Sequence, residues 1–474
     1  MMASRIVLRE FTVTETCAPD DPGAVRVDLP DGSNYFSRQK LLQTEKLRPD
    51  GKPSWTPRHF TVYPIVVKAD GTPWDEANAW ILSSLEHQYT FTMSTYRTKA
   101  EDLQHFRNFI DTREFDYLVF SDAKQSRPTY RYRGFLNVAV QAGGMARTTA
   151  ARRMSNVINF YRFLINNKLF APENPPWIET DAFIPLVNSV GFSSTIKTKT
   201  TDVGIKNVTS DNPYADTIDD GGKLRSLPRK EQAWILEALG HLGNTEQTLI
   251  HLLALTTGAR IQTVLTIRKR HIMQQYRDAD VQLRCGPGTG IDTKGNKLLT
   301  IQIPRWLMNR LRTYVTSERA VNRRMKALGG DIDDQYLFLS ERSAPMYEAK
   351  ERQNQSGERK IRHVKNGQAV RAYMKDYIIK YIRDKYDSQF SYQFHDLRAS
   401  FGMNLVDDLK LKMDAGEMTY TQVLSYVQAR MCHSSPVTTE RYLRYRENRA
   451  LFENAQDQFE IKIEEMVAKM MVGS

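Results

Sequence analysis

Four short segments in the second half of the chain carry residue types that can act on a phosphate ester. In LLALTTGARIQTVLTI an apolar run breaks at Thr257, Gly258 and Ala259, just before Arg260. A guanidinium entering an apolar surround needs an anionic partner, and on its own an internal ion pair with Asp or Glu is the plainer account. In FHDLRASFGMNL, His395 and Arg398 stand three residues apart and share a helical face. From there two donors could grip one phosphate, the Arg fork through paired charge-assisted bonds. In MCHSSPVTTERYLRY, Tyr442 follows His433 by nine residues, across a Ser/Pro/Thr turn able to start a helix. A phenol, with an ordinary pKa of about 10, becomes an oxygen nucleophile only beside a base and a cationic cradle. Lys294 and Lys297 lie in the turn TKGNK between candidate strands, where a Lys could reach a substrate. A surface His, a packing Tyr and a solvated turn Lys are the ordinary accounts of each alone; their joint occurrence singles them out.

The ordered set of Arg, hairpin Lys, His-x-x-Arg, and His followed by Tyr resembles the tyrosine recombinase (phage integrase) family. TGAR, HDLR and HSSPVTTERY carry the likeness, which runs from about Leu224 to Arg446. The resemblance implies that Arg260 and Arg398 hold the non-bridging oxygens of a scissile phosphate and stabilise its transition state. It implies that Tyr442 attacks phosphorus to give a 3′-phosphotyrosyl link. Lys294 would then protonate the leaving 5′ oxygen, His395 would assist proton transfer at Tyr442, and His433 would donate to the phosphate. Lys297 is the alternative lysine and Tyr445 the competing tyrosine. Two positions depart from the family pattern: Cys432 stands where Gly commonly precedes the second His, and Thr263 where an acidic residue often follows the first Arg.

The function so implied is that of a site-specific DNA recombinase, an integrase integrating or excising a mobile element without metal, ATP or other cofactor. Its partners would be double-stranded DNA with specific recombination sites, further copies of itself in a homotetramer on DNA, and accessory proteins. A type IB topoisomerase, a telomere resolvase, or an inactive DNA-binding protein of the same fold are the alternatives. Cys432 beside His433 has no second Cys or His at ligand spacing, so no metal site is expected.

These residues need elements to position them, and the expected fold is multidomain and mainly α. Residues 1–72, with RIVLREFTVTE and HFTVYPIVVK among turn signals such as PDGSN, read as a small β-rich N-terminal module of unknown role. Residues 73–187 turn helical and resemble the family's SAM-like core-binding domain. There Tyr96, Leu103, Phe106 and Ile110 fall on one stripe, and Met154, Val157, Ile158, Tyr161, Leu164 and Ile165 on another. Within this region Arg127, Tyr130, Arg131, Arg133, Arg152 and Arg153 form a basic and aromatic set suited to phosphate contacts and stacking, and are the candidate DNA-binding residues. A solvated basic face with core-anchoring aromatics is an equal reading of the same residues.

Residues 188–223, rich in Ser, Thr, Lys, Asp and Gly, follow neither period and read as a linker. Residues 224–454 are expected to form a mixed α/β catalytic domain, with VQLRC and LLTIQIP as strands around the lysine turn. Residues 455–474 are expected to form a C-terminal helix whose apolar stripe, Phe459, Ile463, Met466, Val467 and Met470, packs on its own domain or is exchanged between protomers.

Composition narrows the classes further. Lys and Arg number 67 against 55 Asp and Glu, a surplus of +12 over 474 residues, with a pI near 9.4 and a mean hydropathy of −0.53. A positive surplus suits a polyanionic partner. No run reaches the roughly 18 apolar residues of a membrane span. The opening MMASRIVLRE is not that of a secretory signal, and the three scattered cysteines suggest no disulfide framework. The expected location is cytoplasmic and nucleoid-associated.

Overall fold

The structure is a computed structural model that describes residues 2–47, 53–86, 88, 91–187, 193–206, 216–275, 281–350 and 365–472. It is mainly helical, with small antiparallel sheets, and divides into two compact units. One comprises residues 1–209 and 350–364; the other comprises residues 210–349 and 365–474.

In the first unit, β1 (Ser4–Thr12) pairs with β7 (His59–Val67) in antiparallel register, Ile6 opposite Ile65. β2 (Thr14–Thr16) and β3 (Val25–Asp28) flank β4 (Asn34–Gln39), and β5 (Leu41–Leu47) pairs with β6 (Pro53–Pro57). Four helices follow: α1 (Asp75–Glu86), α2 (Met93–Thr112), α3 (Pro128–Gln141) and α4 (Arg147–Asn166). The 3.6-residue spacing places Leu103, Phe106 and Ile110 of α2 and Met154, Val157 and Tyr161 of α4 on buried faces. Phe60, Tyr63 and Val66 of β7 bury into the same apolar cluster, so a boundary at 72/73 does not separate two cores. β8 (Glu179–Val187) and β9 (Ser193–Thr201) then form a hairpin. The stretch expected as an element-free linker thus contains a strand, because the β-branched residues of STIKTKTT pair across it with ETDAFIPL. Residues 188–192 and 207–215 of that stretch lie outside the described residues.

The second unit opens with a tight hairpin, β10 (Ile218–Asp219) and β11 (Lys223–Leu224). Next come α5 (Arg229–Leu242), α6 (Thr245–Thr257), and the short α7 (Ile261–Leu265) and α8 (Lys269–Met273). As the alternation in VQLRC and LTIQI predicts, β12 (Val281–Cys285) pairs with β13 (Leu299–Ile303). The helices α9 (Arg305–Thr316) and α10 (Glu318–Lys326) precede α11 (Gln368–Tyr373), which continues through a π-wound turn, Met374–Ile379, into α12 (Lys380–Lys385). The unit closes with α13 (Asp396–Asp414), α14 (Tyr420–Met431) and the long α15 (Pro436–Val472). α6 is buried nearly all round, with Ile250, Leu253 and Ala254 inaccessible. A second apolar cluster joins Ile218 and Leu224 to Phe401, Val427, Met431 and Tyr442.

Candidate active site

Arg260 owes its position to how α6 begins and ends. Asn244 caps the start, its side chain accepting from the Gln247 backbone N–H at 3.1 Å. At the other end Gly258 adopts φ 64°, and a Cβ there would sit 2.6 Å from the Phe401 ring. Only glycine meets both demands, so the chain turns within one residue and delivers Arg260 to the start of α7. The departure at Thr263 has a clear local use. Its hydroxyl donates to the Asp292 carbonyl at 2.9 Å, and the Asp292 N–H donates to Thr266 Oγ1 at 2.8 Å. Together these bonds pin the lysine turn to α7.

Arg398 is buried in the first turn of α13. Its Nη1 donates to the Gly258 carbonyl and its Nη2 to the Met431 carbonyl, both at 2.8 Å. The guanidinium therefore occupies the carbonyl-rich ends of α6 and α14, where helix dipoles favour a cation. Its Nε is left to face the centre of the site. α14 begins with a capping box between Thr419 and Gln422 and ends at Cys432 in the left-handed conformation, φ 53°. Glycine adopts that backbone freely whereas a residue with a Cβ is strained by about 1–2 kcal/mol. His433 follows, with Nδ1 2.9 Å from Thr439 Oγ1. Tyr442 sits in the second turn of α15 and is fully buried. Its ring passes over Gly402, where an added Cβ would be 2.5 Å from Tyr442 Cε1.

The Asp220 carboxylate stands where these side chains converge. Oδ2 accepts from Arg398 Nε at 2.6 Å, lies 3.2 Å from His433 Nε2, and accepts from the Tyr442 hydroxyl at 3.1 Å. Oδ1 accepts from Arg260 Nη2 at 3.3 Å. Lys294 Nζ approaches the next residue, donating to the Gly221 carbonyl at 3.4 Å. Lys297 instead donates to Ser434 Oγ at 2.8 Å, beside His433. Arg260 is incompletely satisfied, since its buried Nε has no hydrogen-bond partner.

Electrostatics follow from this crowding. Burial pushes the Asp220 carboxyl upward, but the His433 hydrogen bond and the Arg398 charge outweigh it and hold the group well below the carboxylate range. Burial, then the Asp220 charge, pushes Tyr442 well above its ordinary value, against the opposing pull of Arg398. Burial, then Arg260 and Arg398, lowers His395 to about 4, partly countered by a hydrogen bond to the Asp220 backbone. Burial also lowers His433, opposed by Asp220. Burial thus favours the neutral form of both imidazoles. Among the described residues, no group of three or more His, Cys, Asp or Glu is arranged to hold a metal ion.

Arg260, Arg398, His433 and Tyr442 thus meet on one carboxylate, with Lys294 and His395 at its flanks. The candidate DNA-binding residues are placed differently. Arg127 is buried and spends its donors on the Ser121, Pro175 and Asp122 carbonyls at 2.8, 2.8 and 3.0 Å. Tyr130 is buried with its hydroxyl on Asp202 at 2.7 Å. For these two the expected DNA contact gives way to a structural task. Arg131 stacks on Phe115, its guanidinium 4.1 Å from the ring centroid, and Arg133 is half-buried. Arg152 and Arg153 face the buried Asp102, at 2.8 and 3.6 Å. Sequence reasoning missed Asp220, Thr439 and Gly402. Asp220-Gly221 is a hairpin-turn dipeptide and so was a visible turn signal, but nothing local ties it to residues 40 and 222 positions away.

No protein-family model and no curated protein matches the sequence. Among solved structures, the chain is similar to the XerH site-specific recombinase in a post-cleavage complex with palindromic difH substrate, at 14% identity and a TM-score of 0.47, over 81% of this chain and 89% of that one. It is similar to the Tn1549 transposon integrase in complex with a circular intermediate DNA, at 11% identity and a TM-score of 0.44, over 77% and 93%. It is also similar to a lambda integrase dimer bound to a core site, at 12% identity and a TM-score of 0.42, over 77% and 94%.

Proposed function

We propose that this protein is a site-specific DNA recombinase of the tyrosine recombinase type, breaking and rejoining strands through a 3′-phosphotyrosyl intermediate. One observation carries the reading: Arg260 at the start of α7, Arg398 of α13, His433 from the turn between α14 and α15, and the buried Tyr442 of α15 converge on a single anionic group. With a phosphodiester in the place of that group, Arg260 and Arg398 would neutralise its non-bridging oxygens, and the charge added in the pentacoordinate transition state would fall on donors already aimed at it. The Tyr442 oxygen would attack phosphorus and lose its proton to His395. Lys294 would protonate the departing 5′ oxygen, a role its approach to Gly221 favours over Lys297. The phosphotyrosyl bond retains the phosphodiester energy, so rejoining to a second 5′ hydroxyl needs no nucleotide.

The same reading proposes double-stranded DNA with specific recombination sites as the substrate, a homotetramer as the working assembly, and mobile-element integration or excision, with accessory proteins, as the biological setting. It proposes a nucleoid-associated, cytoplasmic location; no described helix is long and apolar enough to cross a membrane. In the first unit, Arg131, Arg133, Arg152 and Arg153 are the proposed phosphate contacts.

A nicked suicide duplex, selected from a DNA pool by binding, tests the chemistry. Wild type should trap a covalent complex on that duplex, and Tyr442→Phe should bind the duplex with no adduct. An adduct surviving in Tyr442→Phe, or one mapping to Tyr445, would overturn the assignment.

A further inference from the structure

We propose that Asp220 is a built-in occupant of the phosphate seat, and that the turn between β10 and β11 holds the site closed until a DNA phosphate displaces it. The inference rests on the recombinase reading only for the identity of the displacing group. A carboxylate and a phosphodiester each carry one negative charge on two exposed oxygens, and here each carboxylate oxygen faces the cations expected to grip the phosphate. Oδ1 takes Arg260, while Oδ2 takes Arg398, His433 and Tyr442. Two such anions cannot share these donors.

The turn is docked by more than its carboxylate. Ile218 and Leu224 are buried in the cluster that also holds Tyr442. The Arg225 N–H donates to Asp396 Oδ1 at 2.9 Å, and Arg441, one residue before the tyrosine, donates to the Asp219 carbonyl at 2.9 Å. Gly221, at φ 71°, lets Lys294 approach so closely that a Cβ there would lie 2.5 Å from Nζ. The fit is nevertheless imperfect. Arg398 is held at 2.6 Å, Arg260 only at 3.3 Å, and the buried Arg260 Nε stays unpaired. A tetrahedral phosphate has oxygens in the directions a planar carboxylate lacks, so it can satisfy Arg260 where Asp220 does not. That difference favours a seated phosphate over Asp220 in the exchange. The hydroxyl of Tyr442, now donating to Asp220, is released in the same step.

The opposing possibility is that Asp220 serves as the base for Tyr442, and the two roles differ in sign. Full-length wild type, Asp220→Asn and Asp220→Ala would be titrated with inorganic phosphate by calorimetry, and their covalent complexes on the selected nicked duplex would be timed. An occluding carboxylate predicts phosphate binding tighter by about tenfold or more in both variants, because the competent state is no longer a minor fraction. It also predicts faster adduct formation. Equal phosphate affinity in all three proteins overturns the proposal, as does loss of adduct in Asp220→Asn with its melting temperature preserved, which would mark a base. If Asp220→Ala fails to fold, the isosteric Asn variant still decides. Tighter phosphate binding with no adduct in any protein would sustain the closed seat while removing the recombinase reading, and equal adduct rates with equal affinities would do the reverse.

Discussion

Tyr442 shows how much of a residue's chemistry lies in its neighbours. The nine-residue spacing from His433 marks it in the sequence, yet its phenol is buried and its nearest acceptor is a carboxylate, which disfavours ionisation. Under the proposed function, this hydroxyl must be freed from Asp220 before it can attack a phosphate. His433 depends on a neighbour of the same kind, since Thr439 engages Nδ1 and leaves Nε2 to point at the centre. Replacing Thr439 with the isosteric Val should leave that buried nitrogen unpaired and cost about 1–3 kcal/mol of stability, measurable as a lower urea midpoint with an unchanged slope. The two family departures also resolve at this scale. Thr263 makes a hydrogen bond that holds the lysine turn, and Cys432 occupies a left-handed position where glycine would be unstrained.

At the scale of elements, the site is a meeting of helix ends. α6 stops at Gly258, α14 stops at Cys432, and Arg398 from the start of α13 binds the carbonyls at both ends. α13 must also pass close to α15, which Gly402 allows. In an ordinary helix interior Gly→Ala adds about 0.5–1 kcal/mol of stability. Gly402→Ala should do the opposite, costing about 1–3 kcal/mol by overpacking against the Tyr442 ring and lowering adduct yield. A stabilised, fully active Gly402→Ala protein would show that Tyr442 does not need this approach. The helix periods and the strand alternation around TKGNK were legible because each depends on residues within a few positions. The linker reading of 188–223 was less informative, because a hairpin strand rich in Ser, Thr and Lys looks locally like a solvated spacer.

For the whole molecule, burial of ionisable groups predicts a pH response. His105, His251, His271 and His395 are each pushed down to about 4, in every case chiefly by burial. Between about pH 6.5, the unfolded value, and about 4 the unfolded chain binds protons that the folded one does not. Stability should therefore rise with pH across that window and fall on acidification. Asp102 and Asp396, raised by burial, offset part of this, while Asp220, held low, adds to acid sensitivity below the ordinary carboxylate range. A melting temperature that stays flat from pH 6.5 to 4.5 would contradict the burial assigned to these imidazoles.

The far end of the molecule supplies a second test. α15 continues unbroken from Tyr442 to Val472, and Phe459, Ile463, Met466 and Val467 on it are 65%, 44%, 55% and 48% exposed. The expected stripe is thus not packed on its own unit at these four residues; the side chain of Met470 lies outside the described residues. Removing residues after Asn454 should leave the melting temperature nearly unchanged and weaken assembly on DNA, read by sedimentation of the complex. Unchanged assembly would assign those side chains no role between copies.

By itself the sequence determined the helical character of the chain and the paired strands around the lysine turn, which follow from periodicity and residue type and are local. Arg260, Lys294 with Lys297 as its alternative, His395, Arg398, His433 and Tyr442 stood out as a set only through the family resemblance that their order and spacing carry. Only the tertiary structure decided that Arg127 and Tyr130 are internal braces rather than surface contacts, and that Asp220 occupies the centre of the site. An ion pair closed across 178 residues of chain leaves no trace in the spacing of either partner, because folding sets the distance between them.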